Sequence, residues 1–267
     1  MTAVAEAVAK ARADGRAVLV GYLPVGYPDV DTSIAAIRAL VEGGCDIVEV
    51  GIPYSDPVMD GPTIQRATEP AVRAGVGIPD ALRAVEAVAA AGGAAVTMGY
   101  WNQIERYGVE RYAADLAAAG GSGAVTPDLI PDEAGDWIAA SDAHDLDRIF
   151  LVAPSSTDAR IASTAAASRG FVYASAVMGV TGARASVGDA AATLVGRLRA
   201  IAPEAVACVG LGVSTGEQAA QIAQFADGVI VGSALVKCLL DSPDTAGVDA
   251  VRALSRELAA GVRQQLA

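Results

Sequence analysis

Residues 32–51 read Thr-Ser-Ile-Ala-Ala-Ile-Arg-Ala-Leu-Val-Glu-Gly-Gly-Cys-Asp-Ile-Val-Glu-Val-Gly and decide the fold class. The first part, Thr32–Glu42, spaces its apolar residues as an amphipathic helix does, and Gly43 follows where helices commonly end. The second part, Asp46–Gly51, is short and almost continuously apolar, which is typical of a strand buried on both faces. A helix followed at once by such a strand predicts one unit of a parallel sheet covered by helices.

The same pairing of a short apolar run with a helical segment recurs along the chain. The predicted strands are Ala17–Leu23, Asp46–Gly51, Ala94–Tyr100, Gly123–Thr126, Arg148–Ala153, Phe171–Ser175, Ala205–Val209 and Gly228–Val231. The predicted helices between them include Thr32–Glu42, Ile64–Arg73, Pro79–Ala91, Val109–Ala119, Ala159–Ser168, Val187–Ile201 and Gly216–Phe225. Residues Met1–Lys10 predict a further short helix rather than a signal peptide, and Val248–Leu266 a final helix packed outside.

Eight strands that alternate with helices over about 250 residues favour a (β/α)8 TIM barrel with extra N-terminal and C-terminal helices. No linker, low-complexity segment or change in composition divides residues 1–267, so a single barrel domain is expected. An open, doubly wound sheet is the main alternative. It is less favoured because no Gly-x-Gly-x-x-Gly motif follows the first strand, and because glycine-rich loops cluster after the last three strands.

The composition excludes several classes of protein. The chain has 19 Lys and Arg against 31 Asp and Glu, and a net charge of −12 would repel nucleic acid. The longest charge-free stretch, Ala87–Ile104, contains Gly92-Gly93 and Asn102-Gln103, which is typical of a turn and a buried strand and not of a membrane span. Three scattered cysteines without a Cys-x-x-Cys pair indicate a reducing compartment, and a cytoplasmic location is expected.

Two residue types are scarce, and this limits the catalytic mechanisms open to the chain. His144 is the single histidine, which excludes a three-histidine metal site and disfavours a Ser-His-Asp triad. The two lysines, Lys10 and Lys237, do not follow an apolar strand run, which disfavours a Schiff base. No metal is therefore expected, and carboxylates, tyrosine or backbone groups remain to carry the chemistry.

The loops that follow the carboxyl ends of the strands form the working face of a TIM barrel. After the seventh and eighth predicted strands they carry Gly210-Leu-Gly212 and Gly232-Ser233. Glycine lets the backbone approach an anion closely, and the N-terminus of a following helix attracts negative charge. Together with Gly182 after the sixth strand, these loops predict a phosphate site held mainly by neutral donors; the alternative for each loop alone is a tight turn.

Glu49 is the strongest single candidate for a catalytic residue. It interrupts an apolar run, and the alternation of side chains directs it either to the helix layer, where an unpaired carboxylate is costly, or to the lumen. At the mouth of the lumen, desolvation would raise its pKa into the range for proton transfer; the alternative is a salt-bridged structural glutamate. Asp60 on a Pro- and Gly-rich loop and Tyr173 at a strand end are further candidates, with a turn residue and a core tyrosine as alternatives.

At these residues the chain resembles the tryptophan synthase alpha subunit family, over nearly its whole length. The most specific stretch is residues 49–65, Glu-Val-Gly-Ile-Pro-Tyr-Ser-Asp-Pro-Val-Met-Asp-Gly-Pro-Thr-Ile-Gln, and the glycine loops described above also match. The resemblance implies retro-aldol cleavage of indole-3-glycerol phosphate to indole and glyceraldehyde 3-phosphate, with no cofactor in this chain. Indole would then pass to a β subunit, within an α2β2 heterotetramer, which condenses it with serine on pyridoxal phosphate.

The resemblance also implies roles for individual residues. Glu49 would protonate C3 of the indole ring and accept the proton of the glycerol hydroxyl, Asp60 would bind the indole N–H, and Tyr173 would lie at the substrate. The implied substrate-binding residues are Tyr22, Met98, Thr181, Gly182, Leu211, Gly212, Gly232 and Ser233. The implied contacts with the β subunit are Pro53, Tyr54, Asp56 and Asn102.

One departure from the family pattern concerns Ala176, which stands where a serine is usual, beside Ser175. It bears on a local contact at the strand end or the lid and not on the main chemistry. Two other functions remain open: another cofactor-free, phosphate-binding barrel such as a sugar-phosphate isomerase, and a catalytically silent activator that docks on a β subunit. The presence of both Glu49 and Asp60 argues against the silent activator.

Overall fold

The computed structural model describes residues 1–175 and 184–264. Its strands are β1 (Val18–Pro24), β2 (Ile47–Gly51), β3 (Ala94–Met98), β4 (Gly123–Val125), β5 (Asp147–Ile149), β6 (Leu151–Val152), β7 (Val172–Ser175), β8 (Ala207–Gly210) and β9 (Gly228–Val231). Its helices are α1 (Ala3–Ala13), α2 (Val30–Gly43), α3 (Pro62–Arg73), α4 (Ile78–Ala90), α5 (Trp101–Tyr107), α6 (Val109–Ala118), α7 (Gly135–Ala143), α8 (Asp158–Ala167), α9 (Arg184–Ile201), α10 (Gly216–Ala223), α11 (Ser233–Asp241) and α12 (Thr245–Val262), with a 3₁₀ helix at Pro131–Glu133.

The strands form one parallel sheet in the order β5-β4-β3-β2-β1-β9-β8-β7-β6. Its two outer strands, β5 and β6, are separated along the chain by Phe150 alone, so the chain itself joins the two edges of the sheet. The sheet is therefore a nearly closed barrel surrounded by helices. This confirms the predicted (β/α)8 fold and shows that the doubly wound alternative is wrong.

The fifth predicted strand, Arg148–Ala153, differs in detail because it is divided at Phe150. Before this residue β5 pairs with β4, and after it β6 pairs with β7. Side chains nevertheless keep alternating, since Ile149 is buried among the lumen residues and Phe150 among those beneath the helices. Barrel strands are staggered, so the two neighbours of one strand can pair with different stretches of it.

The lumen is filled by apolar side chains that alternate along the strands with those facing the helices. Ile47 and Val96 belong to the lumen set, whereas Val48 and Val50 pack under the outer helices. Helix α1 adds Val4 and other apolar residues to the lumen cluster and covers the amino ends of the strands. Since this end is closed, access to the lumen is left at the carboxyl ends of the strands.

The predicted terminal helices are both present. Helix α1 agrees with the short N-terminal helix, and α12 begins three residues before the predicted start at Val248, because the Asp244 side chain caps it by accepting a hydrogen bond from Ala246 N at 2.8 Å. Helix α12 packs closely on α2, where a Cβ atom at Gly43 would collide with Ser255. The glycine that ends α2 thus also makes room for the outer helix.

The spacing of apolar residues in the sequence does not predict helices α5, α7 and α11. All three are short, with seven to nine residues, and α5 buries a single residue, Ile104, so that the apolar stripe is too brief to be recognised. Across residues 1–175 and 184–264, no helix has the length and apolar character that a membrane crossing requires.

Candidate active site

Glu49 lies on β2 with its side chain in the lumen. Ile47, two residues earlier on the same face, is part of the lumen cluster, and Glu49 itself is 2% exposed. Its Oε2 atom is buried and has no hydrogen-bond partner among the described residues. Burial and, to a smaller extent, the nearby charge of Asp60 raise the pKa of Glu49 to about 8. The structure thus supports the lumen-facing alternative over the salt-bridged one.

Asp60 lies in the connection between β2 and α3, and this connection is folded back over the mouth of the barrel. Its backbone N–H donates to Pro57 O at 3.0 Å, and its carbonyl accepts from Gln65 Nε2 at 2.8 Å. Burial raises the pKa of the Asp60 carboxyl to about 6, and the nearby Tyr100 hydroxyl opposes this rise. Near neutral pH, Asp60 is therefore mainly ionised whereas Glu49 is mainly protonated.

A cavity of about 310 Å³ opens at the mouth of the barrel above Glu49. It is lined by Tyr22, Glu49, Met59, Asp60, Gly61, Ile64, Met98, Tyr173, Ser175, Gly210, Leu211, Gly212, Ile230, Gly232 and Ser233. Most of the residues predicted to be catalytic or substrate-binding thus line this one cavity. Thr181 and Gly182 lie outside the described residues, as does Ala176.

The rings of two tyrosines in the cavity lining lie against glycines of the neighbouring strands. A Cβ atom at Gly51 would lie 2.5 Å from the Tyr22 hydroxyl oxygen, and one at Gly210 would lie 2.5 Å from the Tyr173 hydroxyl oxygen. In each case the glycine stands at the end of the next strand, so the missing side chain leaves space for the ring. Burial raises the pKa of both tyrosines, so they remain neutral hydrogen-bonding groups.

The two glycine-rich loops, which follow β8 and β9, form another part of the cavity lining. Gly212 has φ +69, a left-handed conformation that L side chains rarely adopt. Gly232 is the N-cap of α11, and no side chain caps that helix. The first N–H groups of α11, beginning at Ser233, are therefore available to an anion, as the sequence predicts.

The residues predicted to contact a partner lie beside the mouth but outside the cavity. The Tyr54 hydroxyl accepts a hydrogen bond from Asn102 Nδ2 at 2.9 Å, and Pro53 O accepts one from Gln103 Nε2 at 2.7 Å. Asp56 is exposed and accepts from Ser55 Oγ at 2.6 Å. Tyr54, Asp56 and Asn102 lie on one surface, whereas Pro53 is buried beneath it.

Exposed apolar side chains continue this surface. Val58 is 80% exposed and Met59 50% exposed, on the same connection as Asp60. Two exposed apolar side chains make only a small patch, of a kind that is common on protein surfaces. Neither was singled out from the sequence, because both stand in a loop where exposure cannot be read from periodicity.

Sequence reasoning also missed Tyr100. It was placed in a longer third strand, Ala94–Tyr100, whereas β3 ends at Met98 and Tyr100 instead lies at the start of α5. The position directly after a barrel strand was the available signal, because residues there face the working end.

No cluster that could hold a metal ion is found where the structure is described: no three or more His, Cys, Asp or Glu side chains are suitably grouped. The other described residues that line the cavity carry no charge, so the two carboxylates face neutral groups there. A protonated carboxyl and an ionised one, held in a buried cavity, can transfer a proton to and from a bound substrate.

Comparisons with known proteins agree with this geometry. The sequence model of the family described as "Tryptophan synthase alpha chain" matches residues 8–263. The tryptophan synthase alpha chain of Mycobacterium intracellulare is 65% identical over 256 residues, which is 96% of this chain and 93% of the relative. That of Mycobacterium marinum is 64% identical over 254 residues, covering 95% of this chain and 92% of the relative.

Solved structures show the same similarity. The aminoacrylate-bound form of tryptophan synthase from M. tuberculosis has a chain that superposes with a TM-score of 0.90 at 58% identity, over 98% of this chain and 100% of that one. Tryptophan synthase subunit alpha from Legionella pneumophila has a TM-score of 0.89 at 29% identity, over 98% of each chain. From the family match and these identities, it follows that the chain belongs to the tryptophan synthase alpha chain family.

Proposed function

We propose that Glu49 transfers the protons, and that Asp60 stabilises the charge, in the reaction by which this chain cleaves its substrate. As a member of its family the chain is a lyase that splits indole-3-glycerol phosphate into indole and glyceraldehyde 3-phosphate. The observation that carries the assignment is the buried, unpartnered Oε2 of Glu49 at the bottom of the cavity. A buried polar atom without a protein partner is costly unless a ligand supplies one.

In the proposed reaction, protonated Glu49 donates its proton to C3 of the indole ring. The resulting carboxylate accepts the proton of the hydroxyl on the neighbouring glycerol carbon while the bond between that carbon and C3 breaks. The bonding electrons return to the ring as indole forms, and the glycerol carbon becomes the aldehyde. One proton thus moves from oxygen to carbon, and Glu49 is left protonated for the next cycle.

Asp60 has a complementary role in this proposal. Protonation at C3 places positive charge on the ring nitrogen, and a carboxylate that accepts the N–H hydrogen bond stabilises that charge. The lower pKa of Asp60, about 6 against about 8 for Glu49, supports the division of labour into an ionised stabiliser and a protonated acid. Tyr173 would hydrogen-bond the substrate as a neutral hydroxyl.

The remaining cavity residues would position the two ends of the substrate. Tyr22, Met98 and Leu211 would contact the indole ring, and their aromatic or apolar surface suits a bicyclic aromatic group. Gly212, Gly232 and Ser233 would hold the phosphate through backbone N–H groups at the start of α11. Thr181 and Gly182 are proposed to close over the substrate, from the resemblance alone.

We propose further that Pro53, Tyr54, Asp56 and Asn102 contact a tryptophan synthase β subunit within an α2β2 assembly. The solved relatives from M. tuberculosis are structures of tryptophan synthase, and one holds an aminoacrylate. The chain itself would need no cofactor, because pyridoxal phosphate would belong to the partner. Residues 1–267 would act as one domain in the cytoplasm. Asp56→Ala should weaken activation by the β subunit more than cleavage by the isolated chain; equal losses would contradict this.

The experiment that tests the assignment measures free indole released from indole-3-glycerol phosphate, with and without a β subunit. Glu49→Gln should abolish indole release and leave binding of the β subunit unchanged, since Gln keeps the shape of the side chain but carries no acidic proton. Turnover of the variant at the parent rate would rule out Glu49 as the proton carrier. The isomerase and the silent activator are not favoured, because the family match supports a cleaving enzyme.

A further inference from the structure

Tyr100 follows β3 and contacts the loop that carries Asp60, which follows the neighbouring strand β2. The residue is 3% exposed, directly precedes α5, and is not among the residues that the resemblance implies. Its hydroxyl accepts a hydrogen bond from the backbone N–H of Met59 at 2.9 Å. The residue next to Asp60 is therefore bound to the start of α5, in the connection that follows the adjacent strand.

The ring of Tyr100 is itself held in place. It stacks on Tyr54 with a centroid distance of 4.9 Å and an interplanar angle of 26°. The Tyr54 hydroxyl is bound by Asn102, and Gln103 both accepts from Tyr100 N at 3.3 Å and donates to Pro53 O at 2.7 Å. The first turn of α5 thus fixes both ends of the loop from Pro53 to Asp60.

The Tyr100 hydroxyl also affects the Asp60 carboxyl directly. Burial raises the pKa of Asp60, and the nearby Tyr100 hydroxyl is the group that lowers it. The titratable groups around this pair are Glu49 on β2, Tyr22 on β1, Tyr173 on β7 and, near Tyr100, Asp128. Each of these is acidic, so within the described part of the chain no cation shares the task of favouring the Asp60 carboxylate.

We propose that Tyr100 is a positioning residue, whose hydroxyl holds the Asp60 loop and directs the Asp60 carboxylate toward the substrate while stacking on Tyr54 fixes its ring. The inference rests on the role proposed for Asp60. It adds a residue that acts through Asp60 and does not itself take part in proton transfer. Tyr54 lies among the residues proposed to contact the β subunit, so the stack also joins that surface to the cavity.

The variant that tests this is Tyr100→Phe, which keeps the ring and its stacking and removes only the hydroxyl. Loss of a polar hydroxyl close to the charged form raises the pKa of a carboxyl. The acid limb of kcat/KM, expected at about 6 in the parent chain, should therefore move toward higher pH by about one unit. At pH 6 the variant should lose about fivefold in kcat/KM, and most of that loss should disappear near pH 7.5.

Two matched variants separate positioning from general damage. Tyr107→Phe removes another tyrosine hydroxyl of α5, bound to Asp115 at 2.7 Å, and should leave the pH profile unchanged. Tyr54→Phe keeps the stack and loses only the bond from Asn102, so its acid limb should also stay in place; Tyr54→Ala removes the stack and should shift it. Thermal unfolding of each variant reports whether the fold is retained.

Superposition of the Tyr100→Phe profile on that of the parent, while Asp60→Asn is inactive, would overturn the positioning role and leave the proposed function intact. Parent-like turnover by Asp60→Asn would instead overturn the role of Asp60, and with it the inference about Tyr100. An equal shift in Tyr107→Phe would contradict the inference as well, because the effect would then not depend on the Asp60 loop.

Discussion

Two carboxylates are buried at opposite ends of the barrel, and they differ in what they contact. Glu49, near the carboxyl ends of the strands, is 2% exposed and has an oxygen without a partner among the described residues. Asp147, at the amino end of β5, is 3% exposed and accepts a hydrogen bond from the Thr2 hydroxyl at 2.6 Å, with Arg169 Nε at 3.9 Å. Burial is the main cause that raises the pKa of both groups.

The comparison shows that neither burial nor a raised pKa identifies a reactive carboxyl. Asp147 is satisfied by the protein itself, and because Thr2 also caps α1, the pair fastens that helix across the closed end of the barrel. Glu49 instead faces the cavity at the carboxyl ends of the strands. An unpaired polar atom directed at an open cavity is the feature that distinguishes a site from a structural contact.

The largest expected difference between the two carboxylates is in turnover. Glu49→Gln should lower indole release by about 10²–10⁴-fold, the usual contribution of a general acid or base. Asp147→Asn should leave turnover within about twofold, since its surroundings lie at the far end of the barrel from the cavity. Steady-state assays of both variants check this, and a comparable loss in Asp147→Asn would break the distinction between the two ends.

The pH dependence of turnover should report the cavity carboxyls and not Asp147. Activity is expected to rise as Asp60 ionises at about 6 and to fall as Glu49 loses its proton at about 8, giving a bell-shaped profile of kcat/KM. Asp147→Asn should retain both limbs. A flat profile between pH 5 and 9 in the parent chain would contradict the assignment of acid and stabiliser.

For stability we expect the reverse order, with a larger loss on replacing Asp147 than on replacing Glu49. Asp147→Ala leaves the Thr2 hydroxyl without its buried partner and should cost about 1–3 kcal/mol in the free energy of unfolding. Glu49→Leu replaces an unpartnered buried carboxyl with an apolar side chain and should be neutral or stabilising, as at many sites that sacrifice stability for function. Urea unfolding measures both, and a large loss of stability in Glu49→Leu would indicate a structural role for Glu49.

The smallest expected effect concerns Thr2. Thr2→Ala removes the N-cap of α1 and the bond to Asp147, and should cost about 1–2 kcal/mol in the free energy of unfolding without changing turnover. Thr157 caps α8 in the same way, by accepting from Arg160 N at 3.2 Å, so Thr157→Ala is a matched control. Equal losses in the two variants would show that the bond between Thr2 and Asp147 adds nothing beyond the cap.

The strands could be predicted because each is a short apolar run. Alternation within one of those runs left two positions for Glu49, and the cost of an unpaired carboxylate under the helices favoured the lumen. The division of the fifth strand at Phe150 could not, because the change of pairing partner depends on the stagger of the whole barrel. Tyr100 was missed for a related reason. Its importance depends on reaching Met59, 41 residues away in the chain, and nothing in its own neighbourhood records that contact.

The amino-acid sequence by itself determined the alternation of strands and helices, the closed ring that this alternation favours, and the types of side chain present at the working end. These are local properties, set by hydrophobic period, capping residues and glycine. The tertiary structure alone decided which of two buried carboxyls lacks a partner, and which tyrosine holds the Asp60 loop. Both depend on distances between residues far apart in the chain, and hydrogen bonding and desolvation act through such distances and not through sequence position.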